Sequence, residues 1–78
     1  MALATTRRGA VSAPVTKLVA AAQAWRCAGC DELLPAAFQI DHRVPLWRGG
    51  PDAADNLQAL CPNCHAAKTQ QEAVDRGL

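Results

Sequence analysis

No stretch of this chain approaches the ~20 consecutive apolar residues that a membrane span needs, although half of its residues are hydrophobic. The opening residues also lack the apolar core that precedes cleavage in a secretory leader, and carry Arg7 and Arg8 instead. Both absences lead to the expectation of a cytoplasmic protein with no membrane partner, in which thiols stay reduced. There is no large excess of charge either, since the formal net charge is only +1. Global attraction therefore does not favour a polyanion, and any phosphate binding must come from local placement of cations. Length is scarce as well. Seventy-eight residues allow one domain whose packing supplies only about 3–5 kcal/mol, so a covalent or metal staple is expected.

Four cysteines can provide it. They fall into two C-x-x-C pairs, Cys27-Ala28-Gly29-Cys30 and Cys61-Pro62-Asn63-Cys64. One pair alone is a redox motif or chance. Two pairs with matching spacing in a chain without a visible leader point away from disulfides and toward a tetrahedral Cys₄ zinc site. Gly29 is expected to take the turn that brings its flanking sulfurs together. The span between the pairs is longer than a common zinc ribbon, so another element is inserted there.

In chain order, residues 1–13 show no periodicity and read as a flexible tail, alternatively a basic arm. Residues 14–78 form the domain. From Pro14 to Trp25, Val15, Leu18, Val19, Ala22 and Trp25 recur at helical steps, with Ser12 and Pro14 as start signals. Phe38 to Val44 has strand character and Pro45 ends it. Trp47 to Asp52 is a loop by its Gly-Gly-Pro punctuation, with Trp47 read as core. Asn56 to Leu60 is a second strand or turn packing Leu57 and Leu60 inward, and Pro62 to about Val74 favours helix, with Gly77 beyond its end.

The insertion holds Asp41-His42, a metal ligand beside a proton acceptor. Cys64 and His65 lie about 100° apart on the last helix, so a His65 that faces away from the zinc faces the strands. The plainer readings of His65 are a fifth zinc ligand or a solvated residue. Asp41 and His65 together make an open site for a divalent ion. An imidazole with a pKa near ~6.5 suits His42 to be the general base. Asn56 is expected to orient His42, either through its side-chain amide or by pinning nearby backbone, although such an asparagine is often only a turn residue. Neighbours on a regular strand point to opposite faces, so Asp41 and His42 address one phosphate only where the strand twists, breaks or meets substrate along its edge. Arg43, Arg48 and Lys68 flank these residues as candidate phosphate contacts, against the plainer reading of solvated cations.

The run from Cys27-x-x-Cys30 through Asp41-His42, Pro45-Leu46, Gly49-Gly50, Asn56-Leu57 and Leu60-Cys61-x-x-Cys64-His65 to Lys68 closely resembles the HNH endonuclease family. The resemblance covers a core motif of about residues 25–69. It implies an α+β fold, the small ββα-metal or His-Me finger domain, here with an N-terminal helix and a structural Cys₄ zinc site. It implies cleavage of DNA phosphodiester bonds, as nicks or double-strand breaks, commonly leaving 5′-phosphate and 3′-hydroxyl ends. On this resemblance His42 would be the general base, Asn56 the asparagine that positions it, and His65 the ligand that joins Asp41 at a catalytic Mg²⁺, Mn²⁺ or Ni²⁺. Small free-standing members resemble phage proteins, some of which work with packaging machinery. The partners implied are DNA and a second copy or such machinery, in the host cytoplasm for a phage-encoded chain. The rival reading is a non-catalytic zinc module that binds nucleic acid or protein.

Overall fold

The structure, a computed structural model, describes residues 12–77; most of the expected tail lies outside the described residues. Helix α1 spans Ala13–Ala22. Ser12 stands at its N-cap and a proline in the first turn fits, because that turn needs no N–H from it. The helix was expected to reach Trp25, and it stops three residues earlier. Trp25 N–H bonds Ala20 O at 2.9 Å and Ala24 N–H bonds Ala21 O at 3.0 Å, the paired closure of a Schellman motif. That closure requires a left-handed residue, and Ala24 supplies it at φ 54°, followed by Trp25 at φ 59°. The apolar stripe is thereby displaced. Val19 and Ala20 are buried, whereas Leu18 is 70% exposed and Trp25 leaves the helix to meet Phe38 edge-on at 6.2 Å.

After the turn the chain forms a narrow hairpin around the first cysteine pair. Cys27 N–H bonds Glu32 O at 2.8 Å, Asp31 N–H bonds Cys27 O at 2.9 Å and Leu34 N–H bonds Trp25 O at 2.8 Å. Strands β1 (Gln39–His42) and β2 (Leu57–Leu60) then pair antiparallel, with Asp41 opposite Gln58 and His42 opposite Leu57. Two short 3₁₀ turns, Leu46–Arg48 and Ala54–Asn56, interrupt the connection. Helix α2, Pro62–Asp75, closes the chain and ends before Gly77, whose φ of 76° suits glycine. The expected order of strand, loop, strand and helix is therefore observed, as an α+β domain with one helix before it.

The core is small. Val19, Ala20, Leu57 and Ala59 form it, with Val15, Leu34, Phe38 and Ile40 packed around it. Leu57 and Leu60 are both buried, as expected. Among the described residues no large side chain is fully buried.

Gln23, which immediately follows α1, adds a polar tie. Its amide donates to Ala59 O at 3.0 Å and accepts from Ala59 N–H at 2.8 Å, pairing with β2 as another strand would. The same amide group also donates to Arg26 O at 2.8 Å.

Ala24→Gly should stabilise the protein. Relief of a left-handed alanine, less the entropy that glycine adds to the unfolded chain, leaves a net gain of about 0.5–1 kcal/mol. Calorimetry of the metal-loaded protein should read this as a Tm higher by roughly 2–8 °C; an unchanged or lower Tm would show that the turn carries no strain.

Candidate functional site

Two chemically distinct groups of side chains are built on this frame. The first is the sulfur cluster. Sγ atoms of Cys27, Cys30, Cys61 and Cys64 all lie within 4.8 Å of one another, and Cys30 and Cys61 are 3.9 Å apart. That separation is nearly twice a disulfide bond and close to the edge of a tetrahedron with ~2.3 Å metal–sulfur bonds. The four sulfurs are thus positioned for a metal ion such as zinc. Backbone donors already face them. Gly29 N–H and Cys61 N–H each reach Cys27 Sγ at 3.3 Å, and Cys64 N–H reaches Cys61 Sγ at 3.4 Å.

These contacts split the thiols electrostatically. Burial alone would raise the Cys27 thiol, but backbone N–H groups of Cys61, Cys30 and Gly29 outweigh it and bring its pKa down to about 6. Crowding by the Cys61 and Cys27 sulfurs, with burial, pushes Cys64 up to about 12. Four thiols so close cannot all ionise without a cation among them. Gly29 serves the cluster differently from expectation. Its φ is not left-handed, and what it provides is room, because a Cβ there would lie 2.9 Å from Cys64 Sγ. The left-handed residue of the knuckle is Asp31, at φ 66°.

The second group surrounds β1. Asp41 turns toward α2, where Lys68 Nζ meets its Oδ2 at 2.9 Å, while Oδ1 accepts the His42 backbone N–H at 2.9 Å. Lys68 also pairs with Glu72 one turn further on. Burial pulls the Lys68 pKa down, but the Glu72 and Asp41 carboxylates more than offset this and raise it. His65 is half-buried in the first turn of α2, three residues before Lys68, so the two share a side of the helix. His42 faces elsewhere, as strand alternation demands. Its Nε2 lies 3.1 Å from Oδ1 of Asp52, with the imidazole only 16% exposed.

Of the two routes open to Asn56, the contacts take the backbone one. Its Nδ2 donates to Val44 O at 2.9 Å and to Pro51 O at 2.8 Å, and its Oδ1 accepts from Val44 N–H at 3.0 Å. Two donors and one acceptor are used at once, a set that a carboxylate cannot supply. Gly50 closes the same loop, since a Cβ at that position would sit 2.0 Å from Val44 O.

Arg43, Arg48 and Lys68, drawn from three places in the sequence, line one cleft of about 200 Å³ together with Glu72 and Asp75. Arg48 Nη2 pairs with Asp75 Oδ2 at 2.9 Å. Trp47 is not core: it is 42% exposed, with the Arg48 and Arg76 guanidinium carbons 4.9 and 5.3 Å from its ring centre. Asp52, Gln23 and Arg76 were not singled out from sequence. Only Asp52 left a signal there, as an acid directly after the Gly49-Gly50-Pro51 turn that faces His42.

The HNH endonuclease family model matches residues 27–71, more than half of the chain. The chain is 45% identical over 40 residues to the DNA annealing helicase and endonuclease ZRANB3 of Mus musculus, covering 50% of this chain and 4% of that protein. It is 56% identical over 28 residues to the type IV methyl-directed restriction enzyme EcoKMcrA of Escherichia coli K12, covering 36% and 10%. Against the Gene 4 protein of Mycobacterium phage D29 the identity is 37% over 62 residues, covering 74% and 57%. The chain thus spans a tenth or less of the first two proteins and more than half of the phage protein. No solved structure matches it.

Native mass spectrometry should find one zinc per chain. Cys27→Ala should abolish that zinc and the cooperative unfolding transition together, since structural zinc binding is worth about 10–16 kcal/mol against the few available from packing. Gly29→Ala should keep the fold but lower zinc affinity, read by competition with a chromogenic chelator. Unchanged affinity would contradict the close approach of Gly29 to Cys64.

Proposed function

The chain belongs to the HNH endonuclease family, and on that premise we propose that it hydrolyses phosphodiester bonds of DNA. The relatives named as an endonuclease and as a restriction enzyme support that substrate. The observation that carries the reading is the cleft in which Arg43, Arg48 and Lys68 meet beside Asp41. In a chain of net charge +1, three cations line this one groove; Arg48 and Lys68 are paired there with Asp75, Asp41 and Glu72, so an entering phosphate exchanges with those carboxylates for them.

His42 takes a proton from the attacking water as the water oxygen bonds to phosphorus. The bond from phosphorus to the 3′ oxygen breaks and that oxygen takes up a proton from solvent, leaving a 5′-phosphate and a 3′-hydroxyl. Asp41 and His65 would hold a divalent ion, whose chemistry when bound is to polarise the phosphate and stabilise charge on the leaving oxygen. The donor set suits Mg²⁺, Mn²⁺ or Ni²⁺, being one hard oxygen and one imidazole. Asp41 fits the task in a further respect, because its Oδ2 already faces a cation, the Lys68 ammonium, on the helix that carries His65. Lys68 must then yield or share that oxygen when a metal ion enters. Arg43 and Arg48 hold phosphates flanking the scissile one, and Asn56 keeps the loop beside His42 closed.

Supercoiled plasmid incubated with Mg²⁺, Mn²⁺ or Ni²⁺ should convert to open-circle or linear DNA. EDTA should stop the conversion, and His42→Ala should slow it by about 10²-fold or more while retaining zinc and melting temperature. A zinc-loaded wild type that binds DNA but cuts none in any metal would be the non-catalytic binding module instead. Asp75→Asn should release Arg48 to phosphate and lower the Kd for duplex DNA severalfold at low salt, with the gain fading as salt screens it. An equal gain on neutralising the remote Asp31 would reduce the effect to net charge alone.

A further inference from the structure

Resting on the nuclease reading, we propose that Asp52 is the positioning residue of His42, and that it makes Nδ1 the ring atom that receives the proton from water. A carboxylate has only acceptors. The ring nitrogen 3.1 Å from Asp52 Oδ1 is Nε2, so in the neutral imidazole Nε2 carries the hydrogen and Nδ1 keeps the lone pair. The ring is largely enclosed at 16% exposure, while the Asp52 side chain is 52% exposed. Asp52 therefore acts as an external latch.

The latch is held in turn. Asn56 Nδ2 grips Pro51 O at 2.8 Å, one residue before Asp52. Gly50, whose missing side chain lets the loop press against Val44 O, donates its N–H to Pro45 O at 3.0 Å. Asn56 thus reaches His42 through Pro51 and Asp52, which explains how an asparagine whose side-chain contacts all go to backbone can govern the orientation of the base. An imidazole free of this contact would divide between tautomers, and the wrong one presents a hydrogen where a lone pair is needed.

The test is a long-range ¹H–¹⁵N correlation of His42 in the zinc-loaded full chain, recorded as pH is raised until the ring nitrogens show the neutral form. Wild type should show the Nε2–H tautomer. Asp52→Ala should collapse it to an averaged pattern and reduce kcat about 10²-fold with little change in KM. Asp52→Asn, whose amide oxygen still accepts from Nε2–H, should restore the tautomer and most of kcat. An Nδ1–H tautomer in wild type, or a tautomer and kcat indifferent to Asp52→Ala, overturns the proposal. Because the wild-type spectrum requires no DNA, an Nδ1–H result overturns the assignment even where Asp52→Ala fails to fold, and the Asp52→Asn and Asp52→Ala pair of kcat and spectra separates Asp52 from the intrinsic preference of the ring. A wild type that cuts no DNA yet shows the Asp52-dependent tautomer defeats the nuclease reading while the latch stands.

Discussion

The convergence of four sulfurs constrains every other element of this chain. One pair rides on the hairpin after α1 and the other on the first turn of α2, where Cys61 is itself the N-cap residue. Bringing them together fixes both ends of the segment that contains β1, β2 and the loop between them. Packing could not do this alone, because the core is built chiefly of Val19, Ala20, Leu57 and Ala59. A few kcal/mol from such a core compares with about 10–16 kcal/mol for a structural zinc at neutral pH. The sulfur cluster and the proposed catalytic residues are therefore coupled through folding, although no side chain is shared between them.

Within that frame a second constraint acts over a shorter range. Asn56 bonds both polar backbone groups of Val44 and the carbonyl of Pro51, and Gly50 lies against the same Val44 carbonyl. The residues just after His42 are thereby locked to the residues just before Asp52. The strand itself presents Asp41 and His42 to different partners, Lys68 on one side and Asp52 on the other. A phosphate served by both must meet the strand where its regular alternation ends, which is where the Asn56 clamp begins.

Much of this was legible because it depends on local rules. Paired C-x-x-C spacing reveals four ligands without knowledge of the fold, and Pro62 and Gly77 mark the ends of a helix by backbone chemistry alone. Arg43, Arg48 and Lys68 stood out as candidates by flanking Asp41 and His65 in sequence, but that they line one cleft is visible only in three dimensions. What escaped depends on distant geometry. The end of α1 was misjudged because Ala24 adopts a left-handed conformation that its side chain disfavours, imposed by the need to turn into the cysteine hairpin. A large aromatic such as Trp47 suggests core, whereas its ring here lies near two guanidiniums. A glycine inside C-x-x-C suggests a turn, whereas the use of Gly29 is vacancy beside Cys64. Asp52 carries little signal in sequence because an acid after Gly-Gly-Pro commonly does no more than solvate a turn.

The tie between Gln23 and Ala59 bears on self-association. A two-stranded sheet ordinarily offers main-chain groups along both margins, an invitation to pair with a neighbouring molecule. On the β2 margin, Gln23 takes both the N–H and the C=O of Ala59, and Ala28 N–H adds a bond of 3.0 Å to the same oxygen. That margin is closed from within the chain by one amide side chain and one turn of backbone. Two copies therefore cannot zip together through Ala59, the residue paired with Ile40 on the strand that carries Asp41 and His42.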